Sequence, residues 1–370
     1  MFKNYRIRDY DFKLIFMLVA VTIIGIMVVG SAKPEVQEKQ MLGFVLGFFI
    51  MIVLSFFDYS FFLKFTWFYY VFNLVLLLLV RFFGVTVNNS KRWLQIGFQF
   101  QPSELSKIIL ILFFSQFIMK HREQLNSVKY FLLMPILLAP PLYLIYKQPD
   151  MSTSIVILVI FCVIWFVGGL DYRVVVGAIC IAVPAAIILL VLVLQPDQEI
   201  IESYQQLRIL AWLNPEQYEN GAAYQQVNSM MAIGSGQLWG KGLNNNMISS
   251  VKNGNFISEP QTDFIFSIVG EELGFVGSCA VVILLFGITI ECLNAAKKAK
   301  DLAGTLICSG MAGLVGFQSF VNMAVATGLF PNTGVPLPFV SYGLTSLVSL
   351  YIGMGFVLNV RLQCVRKYNN

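Results

Sequence analysis

The sequence predicts an all-α polytopic membrane protein with about ten transmembrane helices and a large extracytoplasmic loop between the seventh and eighth. Three observations carry this reading. Of the 370 residues, 57% are hydrophobic and only 12% charged, about half the charge of an average soluble domain. Mean hydropathy is +0.74. Apolar stretches of membrane-spanning length follow one another along almost the whole chain. Too little charge is present to make a water-facing surface, so most of the surface must face lipid.

The spans run 12–31, 41–58, 64–83, 104–120, 130–147, 153–170, 173–195, 263–292, 302–328 and 341–360. Each approaches the roughly 20 apolar residues that a bilayer crossing needs, and most are apolar on all sides. The first, behind Lys3, Arg6, Arg8 and Lys13, reads as a signal anchor, since no small-x-small cleavage site follows it. The eighth is long and is expected to tilt or to begin above the membrane. When the spans alternate, fifteen of the 25 Lys and Arg residues fall on the side of the N-terminus. Both termini are therefore placed in the cytoplasm of a multi-pass protein. The chain reads as one membrane domain, 1–370, with the extracytoplasmic loop at about 196–262.

Residue types narrow the chemistry. The six cysteines form no CxxC pair and lie in apolar spans or the C-terminal tail, which argues against disulfides and a zinc site. The one histidine, His121, sits in a basic loop, which removes histidine general bases, Ser-His-Asp triads and histidine metal sites. Catalysis is left to carboxylates, hydroxyls or lysine. A net charge of +5 fits topology charge rather than a nucleic-acid footprint.

Two outer segments stand out. One is 84–103, with Arg92-Trp93 and Gln101-Pro102-Ser103-Glu104. The other is the long loop, whose Leu210, Trp212, Met230, Met231, Ile233, Leu238 and Trp239 are too apolar for disorder and predict a fold-back onto the bundle. At its end lies Asp263, in Thr262-Asp263-Phe264-Ile265-Phe266. A carboxylate entering an apolar span is desolvated, which makes it a stronger base; helix capping is the structural alternative. Glu271 and Glu272 are adjacent acids within the same span and so candidates for function, or for pairing with a base on a neighbouring span. On a straight helix Glu271 lies about 12 Å beyond Asp263, too far for a carboxylate dyad. Glu104 and Lys107 share a helix face and read as a cap plus ion pair, or as a pyrophosphate contact. Arg92 and Trp93 read as an interfacial anchor, or as an anionic-lipid and sugar contact. Asp150 reads as a helix start. The glycine-rich segment 234–242 has the wrong spacing for a phosphate loop and reads as a tight loop. Gly270, Gly274 and Gly277 are expected on one helix face, for close packing.

In order along the chain, Arg92-Trp93, Gln101-Pro102-Ser103-Glu104, Lys107, Gln148-Pro149-Asp150, Tyr224-Gln225, Ala232-Ile233-Gly234-Ser235-Gly236, Gly240-Lys241-Gly242, Thr262-Asp263-Phe264-Ile265-Phe266, Gly270-Glu271-Glu272-Leu273-Gly274 and Pro336-Leu337-Pro338-Phe339-Val340-Ser341-Tyr342-Gly343 resemble the SEDS family of RodA, FtsW and SpoVE. Val321-Asn322-Met323 and Thr333-Gly334-Val335-Pro336 are most similar to its elongation branch. The resemblance implies a peptidoglycan glycosyltransferase of the bacterial cell membrane, polymerising lipid II into glycan strands for cell-wall elongation or shape maintenance. It implies that Asp263 is the catalytic acid residue. Arg92, Trp93, Glu104, Lys107, Asp150, Glu271 and Ser341 are then candidates for substrate binding. The expected partners are lipid II, undecaprenyl-pyrophosphate-linked glycan and a class B penicillin-binding protein. A divalent cation, magnesium or manganese, is an option for the leaving pyrophosphate. Two competing readings are a lipid II flippase, with Glu271 and Glu272 as a proton relay, and a non-catalytic scaffold for a penicillin-binding protein.

Overall fold

Apolar helices form at all ten expected spans, because a chain in lipid can satisfy its backbone polar groups only within a helix or a closed barrel. A computed structural model describes residues 10–87, 90–95, 97, 99–195, 201, 203–219, 221–244, 250 and 256–364. Of the basic residues counted for topology, Lys3, Arg6, Arg8, Lys252, Arg366 and Lys367 lie outside the described residues. The membrane helices are α1 (Phe12–Ala32), α2 (Pro34–Phe56), α4 (Thr66–Phe83), α5 (Pro102–Lys120), α6 (Val128–Tyr146), α7 (Met151–Val167), α8 (Tyr172–Val193), α11 (Ile265–Lys297), α12 (Leu302–Ala326) and α13 (Leu344–Leu362). Nine are long and apolar enough to cross a bilayer. The tenth, α7, has 17 residues, the lower limit for a crossing. Among the described residues, three further α-helices lie outside the spans: α3 (Tyr59–Leu63), α9 (Ser203–Leu213) and α10 (Tyr224–Ser235).

The helix starts follow local rules. Asp11, Asp58, Asp150, Asp171 and Asp301 each cap the helix that follows by accepting a backbone N–H. Pro34 and Pro102 open α2 and α5, where a missing N–H costs nothing. Pro34 also starts α2 seven residues ahead of the expected 41. α5 is buried along nearly its whole length against α4, α7, α12 and α13. α8 stands apart and contributes only Val193 to the buried set.

One departure from an all-α fold lies in the first outer segment. There β1 (Val85–Val87), β2 (Ser90–Gln95) and β3 (Gln99–Phe100) form a small antiparallel sheet in the order β1-β2-β3. The segment is short and rich in β-branched and aromatic residues, so strand pairing satisfies its backbone where no helix fits.

The eighth span departs from a straight helix. At Gly274 the backbone takes φ 66° and ψ −163°, splitting α11 into 265–273 and 275–297. The expected common face of Gly270, Gly274 and Gly277 is therefore not formed. In an unbroken helix the amides of Phe275 and Val276 would bond the carbonyls of Glu271 and Glu272. They bond instead to the carbonyls of Gln237 (2.8 Å) and Leu238 (3.2 Å). The freed Glu271 and Glu272 carbonyls accept from the amides of Lys241 (2.9 Å) and Gly242 (3.0 Å). The glycine-rich loop is thus spliced into the break and supplies partners for these four backbone groups.

The splice needs bare backbone. A Cβ on Gly240, which has φ 80°, would sit 2.2 Å from the Glu272 carbonyl oxygen. Gly240→Val is expected to cost about 2 kcal/mol or more, seen as a lower melting temperature of the purified protein. Gly234→Ala, whose Cβ meets nothing within 4 Å, is expected to melt no lower than wild type.

Candidate functional site

Because the ten helices alternate in direction, five connections lie at one end of the bundle: the tight α1–α2 turn, the sheet segment, the α6–α7 turn, the long loop and the α12–α13 connection. The loop folds back as expected. Ser229 Oγ donates to the Ala326 carbonyl (2.8 Å), Gln226 Nε2 to the Val325 carbonyl (2.9 Å), and Trp212 Nε1 to the Gly328 carbonyl (3.1 Å). Trp239, Met231 and Leu238 are the exception and remain largely exposed.

Asp263 sits at the centre of this meeting point, in the turn ahead of α11. Its backbone is held from both sides. Asn322 Nδ2 donates to the carbonyls of Asp263 and Val335, each at 2.8 Å. Ser341 Oγ donates to the Thr262 carbonyl (2.6 Å) and accepts from the Leu337 amide (2.7 Å). The Tyr342 amide reaches the Gln261 carbonyl at 2.8 Å. Glu259 (φ 60°) and Phe339 (φ 63°) flank the site in left-handed backbone, strain of a kind that concentrates at functional sites.

The carboxylate itself is left open. The N-cap of α11 is Phe264, and no side chain caps that helix. The capping alternative for Asp263 is therefore not what the fold adopts. Among the described residues, no hydrogen-bond donor engages its carboxylate. The side chain is partly accessible, and the position of a Cβ on Gly334 lies 3.3 Å from Oδ2, so glycine there keeps the approach clear. Enclosure by protein raises the Asp263 pKa to about 6; Arg208 and then Arg92 pull it down, while Asp150 and Glu259 push it up. The result is a carboxylate poised near neutrality, within the field of two arginines.

Arg92 comes from β2. Its Nε donates to the Gln148 carbonyl (3.2 Å), Nη2 donates to the Pro149 carbonyl, and Nη1 lies 3.8 Å from Asp150 Oδ1. Trp93, next on the strand, is partly exposed. Asp150 caps α7 through the Thr153 amide (3.2 Å) and accepts from Gln101 Nε2 (3.3 Å) and Ser103 Oγ (3.4 Å). One residue into α7, Ser152 Oγ donates to the Thr333 carbonyl, next to Gly334. Arg208, from α9, donates to the Asn332 carbonyl at 3.2 Å.

Other sequence candidates are placed elsewhere. Glu104 holds Lys107 Nζ with both oxygens at 2.8 Å, and both side chains are buried. Glu271 pairs with Lys241 at 2.8 Å, and Glu272 accepts from Ser31 Oγ at 2.5 Å. These ties clamp the spliced loop and α1 to α11. The fold thus gathers Asp263, Arg92, Asp150 and Ser341 into one site and sets Glu104, Lys107 and Glu271 in pairs of their own. Sequence reasoning assigned no role to Arg208. Its signal was present, since it is the one arginine of the 196–262 loop. Asn322 and Gly334 were noticed only as parts of a motif.

At one rim of the ten-helix membrane bundle lies a carboxylate that caps no helix, is partly accessible and feels the charge of two arginines. The chain belongs to the FtsW/RodA/SpoVE family of cell cycle proteins, whose model matches residues 10–365. It is 32% identical to the probable peptidoglycan glycosyltransferase FtsW of Trichlorobacter lovleyi, over 97% of this chain and 94% of the relative. It is also 32% identical to the peptidoglycan glycosyltransferase MrdB of Escherichia coli, over 95% and 93%. Among solved structures it resembles a chain of a peptidoglycan synthase complex that coordinates polymerization and crosslinking (TM-score 0.78, 29% identity, covering 95% of this chain and 97% of that one). It also resembles the rod shape determining protein RodA of Thermus thermophilus (TM-score 0.69, 29% identity, covering 95% and 96%).

An acid whose folded pKa lies above its unfolded value destabilises the fold wherever it is ionised, that is, above about pH 6 here. Asp263→Asn removes that charge, so at pH 8 the variant is expected to melt at or above the wild-type temperature. Ser341→Ala is expected to lose about 1–2 kcal/mol, because the Leu337 amide and Thr262 carbonyl lose their buried partner.

Proposed function

We propose that Asp263 is the general base with which this peptidoglycan glycosyltransferase joins lipid II to a growing glycan. The lipid-linked glycan is the donor and lipid II the acceptor. Asp263 takes the proton from the acceptor sugar's 4-hydroxyl. The oxygen attacks the anomeric carbon of the donor, and the bond from that carbon to the undecaprenyl pyrophosphate breaks with its electron pair. Arg208 and Arg92 offset the charge that builds on the departing pyrophosphate. The observation that carries this reading is the Asp263 carboxylate: partly accessible, without a donor among the described residues, and poised near pH 6. A base tuned close to working pH is the form that general base catalysis favours.

Among the described residues no three His, Cys, Asp or Glu side chains converge as a metal site. A magnesium or manganese ion at the site would take part of its coordination from the substrate pyrophosphate. The Lys and Arg distribution supports an extracytoplasmic Asp263 end and cytoplasmic termini. The resemblance to a chain of a synthase complex supports assembly with a class B penicillin-binding protein.

Purified Asp263→Asn protein given labelled lipid II is expected to polymerise at least about 100-fold more slowly than wild type; retained chain formation would defeat the assignment. A reconstituted assay of the same protein separates polymerisation from translocation or neither. In wild type the rate is expected to fall as pH drops through about 6, because the base becomes protonated. Arg208→Gln removes the larger of the two opposing charges, so its acid limb should move to higher pH.

A further inference from the structure

The end of the bundle remote from Asp263 contains a second site. Between α4, α5 and α6 lies a cavity of about 280 Å³, whose lining includes Trp67, Gln116, Lys120, His121, Lys129 and Tyr130. α5 begins beside the Asp263 site and ends here at Lys120. Its 19 residues put about 28 Å between the two.

The walls are fixed and aromatic. Trp67 meets Phe113 edge-on at 5.0 Å. The His121 ring lies 4.6 Å from that of Phe117 and 4.7 Å from that of Tyr130. Its Nδ1 is engaged by the Phe117 carbonyl at 2.9 Å. The rim is cationic. Lys129 Nζ lies 5.6 Å over the Tyr130 ring, and neither Lys120 nor Lys129 forms an ion pair with an acid among the described residues. On the wall sits Gln116, only 8% exposed, whose Oε1 has no hydrogen-bond partner. A buried acceptor left unpaired is costly, so this position calls for a donor.

Each feature states a demand. The lysines ask for an anion, Gln116 Oε1 asks for a hydroxyl or ammonium, and the aromatic walls ask for apolar surface. Trp67 is half exposed at the helix ends, where tryptophan marks the membrane boundary. We infer that the cavity binds the phosphoglycerol headgroup of an anionic phospholipid from the leaflet remote from Asp263. The phosphodiester sits between Lys120 and Lys129, a glycerol hydroxyl donates to Gln116 Oε1, and the acyl chains leave past Trp67 into the bilayer. The volume is at the small end for ligand pockets, which suits a headgroup and excludes a lipid-linked disaccharide.

The test uses the full-length protein in nanodiscs of mixed phosphatidylglycerol, phosphatidic acid and phosphatidylcholine, with retained lipid read by native mass spectrometry. Wild type is expected to retain phosphatidylglycerol preferentially. Lys120→Gln with Lys129→Gln should lower that retention roughly tenfold or more. Lys297→Gln with Lys298→Gln removes the same charge from exposed positions at the same end of the bundle and should leave retention unchanged. Gln116→Leu should erase any preference for phosphatidylglycerol over phosphatidic acid, which has no alcohol hydroxyl to donate. No enrichment in wild type, or equal loss in the two lysine pairs, would overturn the site. Displacement of the lipid by millimolar inorganic phosphate would overturn the lipid as its source.

Discussion

The structure depends on one constraint, that no backbone polar group at membrane depth can be left without a partner. Its consequence is clearest at Gly274. A helix broken here would orphan two amides and two carbonyls. Here those four groups are matched by Gln237, Leu238, Lys241 and Gly242. The break is therefore possible only with the long loop in place, and the loop is held only because the helix is broken. Buried pairs reinforce the splice: Lys241 with Glu271, and Ser31 with Glu272.

From that splice the order propagates to Asp263. Pinning 236–242 fixes α10, whose Gln226 and Ser229 hold the carbonyls of Val325, Phe330 and Ala326. Those contacts set the connection after α12, which brings Gly334 against the Asp263 carboxylate. Asn322, on α12 itself, ties Val335 and Asp263 with one amide group. Gln226, Ser229 and Asn322 all donate to backbone carbonyls, and the carboxylate is spared. A side chain so supported is fixed in place yet keeps its lone pairs for an incoming proton.

The electrostatics of the site balance opposing effects. Burial and the neighbouring acids Asp150 and Glu259 favour the protonated form; Arg208 and Arg92 favour the anion. With the arginines alone, the carboxylate would be a weak base. With burial alone, it would be protonated through much of the neutral range. Arg92 is itself restrained by Asp150 and by two carbonyls of the α6–α7 turn, so it is positioned without collapsing onto Asp263. In the proposed mechanism, this positive charge meets the departing pyrophosphate.

Much of this was legible in the sequence because lipid imposes a simple code. Runs of about 20 apolar residues became helices, Asp150 became the cap it resembled, Glu104 and Lys107 paired at their i, i+3 spacing, and Asp263 stood out as a carboxylate entering an apolar span. Local spacing alone sets such features, so no long-range information was needed. The tertiary structure alone decided the rest. Gly274 looked like a packing glycine on a continuous helix, because its φ depends on a loop more than 30 residues earlier in the chain. Arg208 stood out only as the one arginine of its loop, since its effect on Asp263 arises only once α9 folds back over the bundle. Sequence thus determined which residues enter the membrane and which carboxylate is exposed to desolvation. The fold determined which charges face that carboxylate, because electrostatic neighbours are set by distance in space rather than along the chain.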